Sequence, residues 1–190
     1  MKRAIDLVVA TVGLVLLLVL YPFIAVAIVL NDRGPILFKQ VRVGRDQRPF
    51  TLYKFRTMAI DTGDRPSHQV NTAKITRAGR LLRRSKLDEL PQLVNVLKGE
   101  MSLVGPRPCL PSQLELIAAR AELGVFRVWP GITGLAQVAG LDMSNPAMLA
   151  HKDAQYCDSW TMSLDMAILW STFVGKGFGD AAKGGLSPPG

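Results

Sequence analysis

The chain has 190 residues, of which 48% are hydrophobic, and it carries a formal net charge of +8. This length suits one domain with a short appendage. The two cysteines, Cys109 and Cys157, form no Cys-x-x-Cys motif, which leaves a structural zinc site without support and favours reduced thiols in a cytoplasmic domain. The basic residues are not interleaved with aromatic ones, which argues against a nucleic-acid-binding surface.

The first element is an apolar segment from Leu7 to Leu30, a stretch of 24 residues without a charged side chain. Because about 20 helical residues cross the hydrocarbon layer of a bilayer, we expect a membrane helix over residues 1–32. A buried core helix and a cleavable signal peptide are the alternatives. The signal peptide fits poorly, since the apolar stretch before Ala25 is longer than the usual 7–15 residues or so.

Basic residues lie on both sides of this segment: Lys2 and Arg3 before it, and Arg33, Lys39, Arg42, Arg45 and Arg48 after it. The positive-inside rule would place both flanks in the cytoplasm, which a straight span cannot satisfy. Pro22 removes one helical hydrogen bond. A helix broken at Tyr21–Pro22 could therefore enter and leave the membrane on the same face, although an ordinary kinked span fits the composition equally well.

The rest of the chain predicts an α+β domain over residues 33–174, mostly helical with a short β-hairpin. In "RVGRDQRPFTLYKFRTM", apolar residues alternate on both sides of a Gly44–Pro49 turn, which indicates the hairpin. Ser85 and Asp88 predict a capping box that starts a helix ending at Gly99. The tail, residues 175–190, is rich in glycine and proline and is predicted to be disordered.

Three further segments follow the predicted helix. "PSQLELIAARAEL" is another helix candidate, and "PGITGLAQVAG" indicates a loop and a strand with glycines at which the backbone could approach a ligand. A last helix is predicted from about Asp153 to Val174, with Trp160, Leu164, Ile168 and Trp170 on one apolar face.

Charge is concentrated between Arg33 and Arg107, where 16 Lys/Arg stand against 6 Asp/Glu. Such a segment behind a membrane helix attracts anionic lipid headgroups. One hypothesis is therefore a non-enzymatic, membrane-associated adaptor with a basic face that binds anionic lipid.

Within this segment, Asp88 and Glu89 directly follow a run of basic residues: Arg77, Arg80, Arg83, Arg84 and Lys86. Acids in a first helical turn complement the helix dipole by about 0.3–1 kcal/mol, and nothing catalytic need follow. The second interpretation is a site for a phosphate ester, with a carboxylate as nucleophile. Three features favour it: arginines bind phosphate bidentately, Arg107 is fixed between two prolines, and Lys54 and Arg56 lie at a strand end.

The stretches "KFRTM", "LDELPQLVNVLKGEMSLVGPRP" and "PGITGLAQV", in this order behind a hydrophobic helix, resemble the bacterial sugar transferase family. The resemblance is to its small members, the monotopic polyprenyl-phosphate phosphoglycosyl transferases, and runs from about Lys2 to Phe173. It implies transfer of a sugar-1-phosphate from a nucleoside diphosphate sugar, usually a UDP-sugar, to polyprenyl phosphate. Asp88 would form a covalent phosphosugar intermediate while UMP leaves.

The resemblance also implies roles for other residues. Glu89 would be the second acid, and it and Asp88 would bind Mg²⁺. The implied substrate-binding residues are Lys54, Arg56, Arg83, Arg107 and Gln137.

A re-entrant helix, broken at Tyr21–Pro22, would keep the domain on the cytoplasmic face of the bacterial inner membrane; a homodimer is compatible with this arrangement. Two departures stand out: Tyr21 replaces a common Ser, and "LDMSNPAM" replaces an Arg/Asn-rich stretch, so the sugar cannot be named. The intact acidic pair argues against an inactive scaffold.

Overall fold

The computed structural model describes residues 1–60 and 74–175. The tail that was predicted to be disordered lies outside the described residues from residue 176 on. The described chain is α+β, as predicted, with an N-terminal apolar helix and two small sheets. Its helices and strands, in chain order, are α1 (Lys2–Asn31), β1 (Leu37–Val43), β2 (Pro49–Phe55), α2 (Arg77–Arg84), α3 (Leu93–Lys98), β3 (Ser102–Val104), α4 (Leu114–Glu122), β4 (Gly131–Thr133), α5 (Leu135–Val138), α6 (Pro146–Asp158) and α7 (Met162–Phe173).

Helix α1 is, among the described residues, the one helix long and apolar enough to cross a membrane. Only a narrow stripe of it is buried against the domain: Asp6, Ala10, Leu17, Ile24 and Ile28. The expected break at Tyr21–Pro22 is not an interruption of the helix, which continues through both residues to Asn31. A proline inside a helix removes one hydrogen bond, and the turns on either side keep theirs.

The first turns of α1 are bound to strand β3. The Asp6 carboxylate accepts hydrogen bonds from Ser102 Oγ at 2.8 Å and from the Leu103 N–H at 3.2 Å. Lys2 Nζ donates to the Val104 carbonyl at 3.1 Å. A charged residue inside an apolar helix is costly unless it is paired in this way. These contacts dock the N-terminal end of α1 on the domain.

The other end of α1 contacts the same domain. Asp32 caps the helix, and its Oδ2 lies 3.0 Å from Arg56 Nη1. Midway along the helix, the Tyr21 and Phe55 rings are 6.0 Å apart. A helix of 30 residues is about 45 Å long. The domain therefore follows α1 along its whole length.

The predicted hairpin is confirmed. Strands β1 and β2 pair antiparallel, from Leu37 opposite Phe55 to Val43 opposite Pro49. Alternation along β2 puts Leu52 and Lys54 on one face, and both are buried. A lysine on a buried face requires a counter-charge. This requirement points to the acidic pair.

The predicted helix starting at Ser85 is wrong. Ser85 ends α2, and its hydroxyl donates to carbonyls of the preceding turn. Lys86 then has a left-handed backbone with φ 58°, and Leu87–Gln92 form a 3₁₀ turn, here called the acidic turn, before α3 begins. Pro91 offers no N–H for a longer α-helix. The predicted end at Gly99, with φ 83°, is confirmed.

The predicted last helix is two helices, α6 and α7. Ser159 caps the end of α6, and Thr161 Oγ1 accepts from the Leu164 N–H at 3.1 Å to start α7. Hydroxyl side chains offer such local hydrogen bonds in competition with a continuing helix. The expected apolar face is divided, since Ile168 is buried and Trp170 is exposed.

A parallel pairing of β3 with β4 was not predicted. Glycines allow it, because a Cβ at Gly131 would lie 2.1 Å from Gly105 N and a Cβ at Gly134 would lie 2.2 Å from Gly105 O. Gly131 and Gly134 of "PGITGLAQVAG" therefore allow the close approach of two backbone segments. The expected approach of a ligand to this stretch stays a prediction.

Candidate active site

The acidic turn buries both of its carboxylates. Asp88 is 7% exposed and Glu89 is 8% exposed. The turn lies between α2 and α3 and packs against β2. Buried carboxylates are rare unless cations or a metal ion compensate them. The surroundings of the pair therefore decide whether it is a structural or a chemical feature.

Two cations from distant segments meet on one oxygen of Glu89. Lys54 Nζ, from β2, lies 3.3 Å from Glu89 Oε1, and Arg107 Nη2 lies 3.0 Å from the same atom. Lys54 is 7% exposed. Charge-assisted hydrogen bonds of this kind are about twice as strong as neutral ones. The structure thus brings together three of the residues that the sequence proposed.

The main chain around Arg107 is held by two further arginines. The prolines on either side of Arg107 have no N–H to donate, so this segment is held mainly through its backbone carbonyl groups. Arg120 Nη1 donates to the Arg107 carbonyl at 2.8 Å, and Arg42 Nη1 donates to the Pro108 carbonyl at 3.0 Å. Arg120 also forms a buried ion pair with Asp153, at 2.5 Å and 3.0 Å. Burial raises the pKa of Asp153, and Arg120 opposes that shift.

The other proposed substrate-binding residues lie in different surroundings. Arg56 follows the last residue of β2 and is ion-paired with Asp32, so the structure does not bring it to Glu89. Arg83 Nε donates to Thr57 Oγ1 at 2.9 Å. Gln137 is buried and lines the same cavity as Glu89.

Sequence reasoning missed several residues that shape the site. Lys86, counted only as part of the basic run, lines the cavity beside Glu89, and its Nζ donates to the Thr172 carbonyl at 3.1 Å. Burial lowers the pKa of Lys86, and the charge of Glu89 opposes that shift. Adjacency to the acidic pair was the signal that could have found it.

Asn95 had no signal of its own in the sequence. Its side-chain amide makes the hydrogen bonds to the backbone of β2 that a neighbouring strand would otherwise make. Nδ2 donates to the Thr51 carbonyl at 2.7 Å, and Oδ1 accepts from the Tyr53 N–H at 3.2 Å. It is completely buried. Because Asn95 belongs to α3, this contact sets the distance between the acidic turn and the strand that carries Lys54.

The donor set at the acidic turn suits magnesium. Among residues 1–60 and 74–175 no group of three or more His, Cys, Asp and Glu side chains is placed to hold a metal ion. Mg²⁺, however, is commonly bound by one or two carboxylates together with substrate phosphates and water. The adjacent carboxylates of Asp88 and Glu89 fit that kind of site.

The structure thus combines an apolar helix, docked on an α+β domain, with a buried acidic pair and two cations that converge on it. The profile of the family described as bacterial sugar transferase matches residues 1–177. The chain therefore belongs to the bacterial sugar transferase family.

Similar proteins include the uncharacterized sugar transferase EpsL of Bacillus subtilis strain 168, 41% identical over 172 residues, which cover 90% of this chain and 85% of that protein. The undecaprenyl-phosphate glucose phosphotransferase of Komagataeibacter xylinus is 41% identical over 187 residues, with 90% of this chain and 35% of that protein covered.

The UDP-glucose:undecaprenyl-phosphate glucose-1-phosphate transferase of Escherichia coli K12 is 38% identical over 187 residues, covering 94% of this chain and 40% of that protein. The chain thus spans 35% and 40% of the two relatives whose names state a reaction.

Proposed function

We propose that the protein transfers a sugar-1-phosphate from a UDP-sugar to a polyprenyl phosphate and releases UMP. The observation that carries this proposal is the buried acidic pair with Lys54 and Arg107 converging on Glu89. Membership of the family supports it, as do relatives named for the transfer of glucose-1-phosphate to undecaprenyl phosphate. Those names make UDP-glucose the first donor to test.

The first half-reaction forms a covalent intermediate on Asp88. A carboxylate oxygen of Asp88 attacks the β-phosphorus of the donor, and a new O–P bond forms. The bond from that phosphorus to the bridging oxygen breaks, and UMP leaves with the electron pair and the oxygen.

The second half-reaction releases the sugar to the lipid. A phosphate oxygen of the polyprenyl phosphate attacks the same phosphorus, and the aspartyl O–P bond breaks. The products are a polyprenyl diphosphate sugar and a regenerated Asp88 carboxylate. Two successive displacements through one enzyme intermediate predict ping-pong kinetics.

Lys54 and Arg107 would stabilise the charge that develops on the phosphoryl oxygens, because Lys54 is buried and Arg107 is mostly shielded from solvent, where a cation acts strongly. Glu89 holds both cations in place. Asp88 and Glu89 would hold Mg²⁺, which neutralises phosphate charge when it is bound. We assign Arg83 and Gln137 to substrate binding as well. Arg56 stays a prediction, since a substrate would compete with Asp32 for it.

We further propose that α1 keeps both of its ends on the cytoplasmic face of the inner membrane. The support is its docking, because β3 binds the turn around Asp6 and Arg56 binds Asp32. A domain in the cytoplasm that contacts both ends of an apolar helix leaves that helix no way to span. The exposed apolar side chains of α1 would then lie in the cytoplasmic half of the bilayer.

The test is UMP release by the purified full chain in lipid nanodiscs, with Mg²⁺, undecaprenyl phosphate and a panel of UDP-sugars. We expect release with at least one donor, dependent on acceptor for repeated turnover. The absence of release across the panel would instead favour the lipid-binding adaptor. The inward orientation of Lys54 and Arg107 argues against the adaptor, since a lipid-binding face requires exposed cations.

A further inference from the structure

A pocket of about 180 Å³ adjoins the acidic pair. Its wall is formed by five aliphatic side chains from five elements: Leu90, Leu93, Leu103, Ile132 and Leu169. Its polar lining residues are Lys86, Glu89, Thr133, Gln137 and Thr172. An apolar cavity of about 150 Å³ is large enough for benzene, so this pocket takes an apolar group of about five or six carbon atoms.

The aliphatic wall disfavours the polar parts of the substrates. Among the described residues that line the pocket, none is aromatic, so no ring is available to stack on a nucleobase. A sugar placed against the leucine and isoleucine side chains would bury hydroxyl groups that the wall cannot pair, which costs free energy; only the polar lining residues could pair them. An aliphatic group is the chemistry that this wall accepts.

The pocket also lies between the acidic pair and the membrane helix. Leu93 packs against α1 so closely that a Cβ at Gly13 would lie 2.6 Å from Leu93 Cδ1. On the far side, α7 contributes Leu169 to the wall, while its Met166 and Trp170 are exposed on the outside. The wall of the pocket therefore includes one residue that contacts α1 and one from α7, a helix with exposed apolar side chains.

We propose that this pocket holds the first isoprene unit of the polyprenyl phosphate acceptor, with its phosphate at Lys86 beside the acidic pair. The inference rests on the proposed function and names the acceptor subsite of that site. Charge complementarity supports it, because Lys86 lines the pocket, and because Lys54 and Arg107 offset the charge of Glu89, the carboxylate that lines it too.

The test separates the two half-reactions. Leu169→Phe fills the pocket from α7, and Met166→Phe adds the same ring on the outer face of the same helix as a matched control. Without acceptor, we expect Leu169→Phe to give the parent's burst of UMP and the parent's adduct on the Asp88 peptide. With undecaprenyl phosphate, its KM for the acceptor should rise about 10-fold or more, as expected for loss of an apolar subsite. Met166→Phe should match the parent in both.

A second measurement needs no variant. Dimethylallyl phosphate, which has one isoprene unit, should compete with undecaprenyl phosphate in the parent, and inorganic phosphate at the same concentration should not. If Leu169→Phe does not fold, Ile132→Phe is the alternative variant, because it fills the same space from β4. Equal competition by the two phosphates, unchanged acceptor KM in a folded filled variant, or a lost UMP burst would each overturn the proposal. Failure of the proposed function would look different: the parent itself would form no adduct on Asp88.

Discussion

Two buried carboxylates, Glu89 and Asp153, are both connected to Arg107, and they have different surroundings. Glu89 is shared by two cations, Lys54 and Arg107. Asp153 is matched by one, Arg120. Arg107 connects the two groups, because its side chain contacts Glu89 and its carbonyl accepts from Arg120.

The difference separates a binding group from a supporting one. Two cations that meet at one carboxylate oxygen are placed where an incoming phosphate can also bind them. The Arg120–Asp153 ion pair is buried, and its value lies in the Arg107 carbonyl that Arg120 also holds. We therefore expect changes around Glu89 to act on chemistry, and changes around Asp153 to act on stability and on the position of Arg107.

The largest effect is expected at the nucleophile. Asp88→Asn keeps the size of the side chain and removes the attacking charge, so UMP release should fall to background and no adduct should form. Glu89→Gln, its neighbour in the acidic turn, should keep slow turnover with an altered Mg²⁺ dependence. UMP release assays and mass spectrometry of the protein check both. Near-normal turnover by Asp88→Asn would show that the covalent step uses another residue.

The supporting group gives the next largest effect. Arg120→Met leaves Asp153 buried without its partner, which should cost about 3–5 kcal/mol in the free energy of unfolding. It also removes the donor to the Arg107 carbonyl, and a displaced Arg107 should lower kcat by up to about 100-fold. Chemical denaturation and UMP release measure the two losses separately.

A double variant distinguishes position from stability. Arg120→Met with Asp153→Leu removes both charges, so much of the lost stability should return. The Arg107 carbonyl still lacks its donor, and activity should stay low. Full recovery of activity along with stability would show that Arg120 supports only the fold.

The same pair predicts a pH dependence. Burial raises the pKa of Asp153, and Arg120 opposes that rise; Arg120→Met should therefore raise it further. A carboxyl group whose pKa is raised by folding destabilises the native state above that pKa, and the penalty disappears as the group is protonated. The stability deficit of Arg120→Met should thus shrink as pH falls below neutrality, and a deficit that grew instead would contradict this account.

Residue patterns predicted the parts of this site that depend on local spacing. Lys54 follows Leu52 at the period of a strand, and the hairpin that carries both was readable from the apolar alternation. The ion pair of Arg56 with Asp32 could not be predicted, because Asp32 is distant in sequence, and the role of Arg56 in substrate binding stays a prediction. Arg42 and Arg120 carried no signal, since their partners are main-chain carbonyls of another segment.

Local signals also competed with one another. Ser85 and Asp88 have capping-box spacing, yet Pro91 and the left-handed Lys86 replace the helix start with a 3₁₀ turn. The family resemblance pointed to the acidic pair, and the catalytic role of that pair stays a prediction. The orientation of Glu89 towards two cations comes only from the tertiary structure.

A smaller effect separates two arginines that the sequence proposed together. Arg107→Lys keeps the charge and loses the planar fork that contacts Glu89, so kcat/KM for the donor should fall about 10-fold. Arg56→Lys, the same substitution at the α1 cap, should leave kcat/KM near that of the parent. It should lower the free energy of unfolding by about 1 kcal/mol or less. Equal losses of kcat/KM in the two variants would show that Arg56 takes part in donor binding.

The smallest effect is expected at Pro22, where we predict no change of orientation. Ala4→Cys and Arg33→Cys place thiols at exposed positions near the two ends of α1. The native thiols add little background, because burial raises the pKa of Cys109 and raises that of Cys157 to about 11. A membrane-impermeant maleimide should miss both introduced thiols in intact bacterial cells and label both in inverted vesicles. The same pattern is expected after Pro22→Leu.

The reason is that docking, and not the proline, holds the N-terminal end. A spanning α1 would have to withdraw Asp6 from Ser102 Oγ and the Leu103 N–H. Breaking these charge-assisted bonds leaves polar groups of β3 unpaired at a cost of several kcal/mol, whereas Pro22→Leu restores a single helical hydrogen bond. Asp6→Ala combined with Pro22→Leu is the variant expected to release the end. Outside labelling of Ala4→Cys in the otherwise unchanged protein would refute the same-side arrangement and leave the chemistry at Asp88 standing.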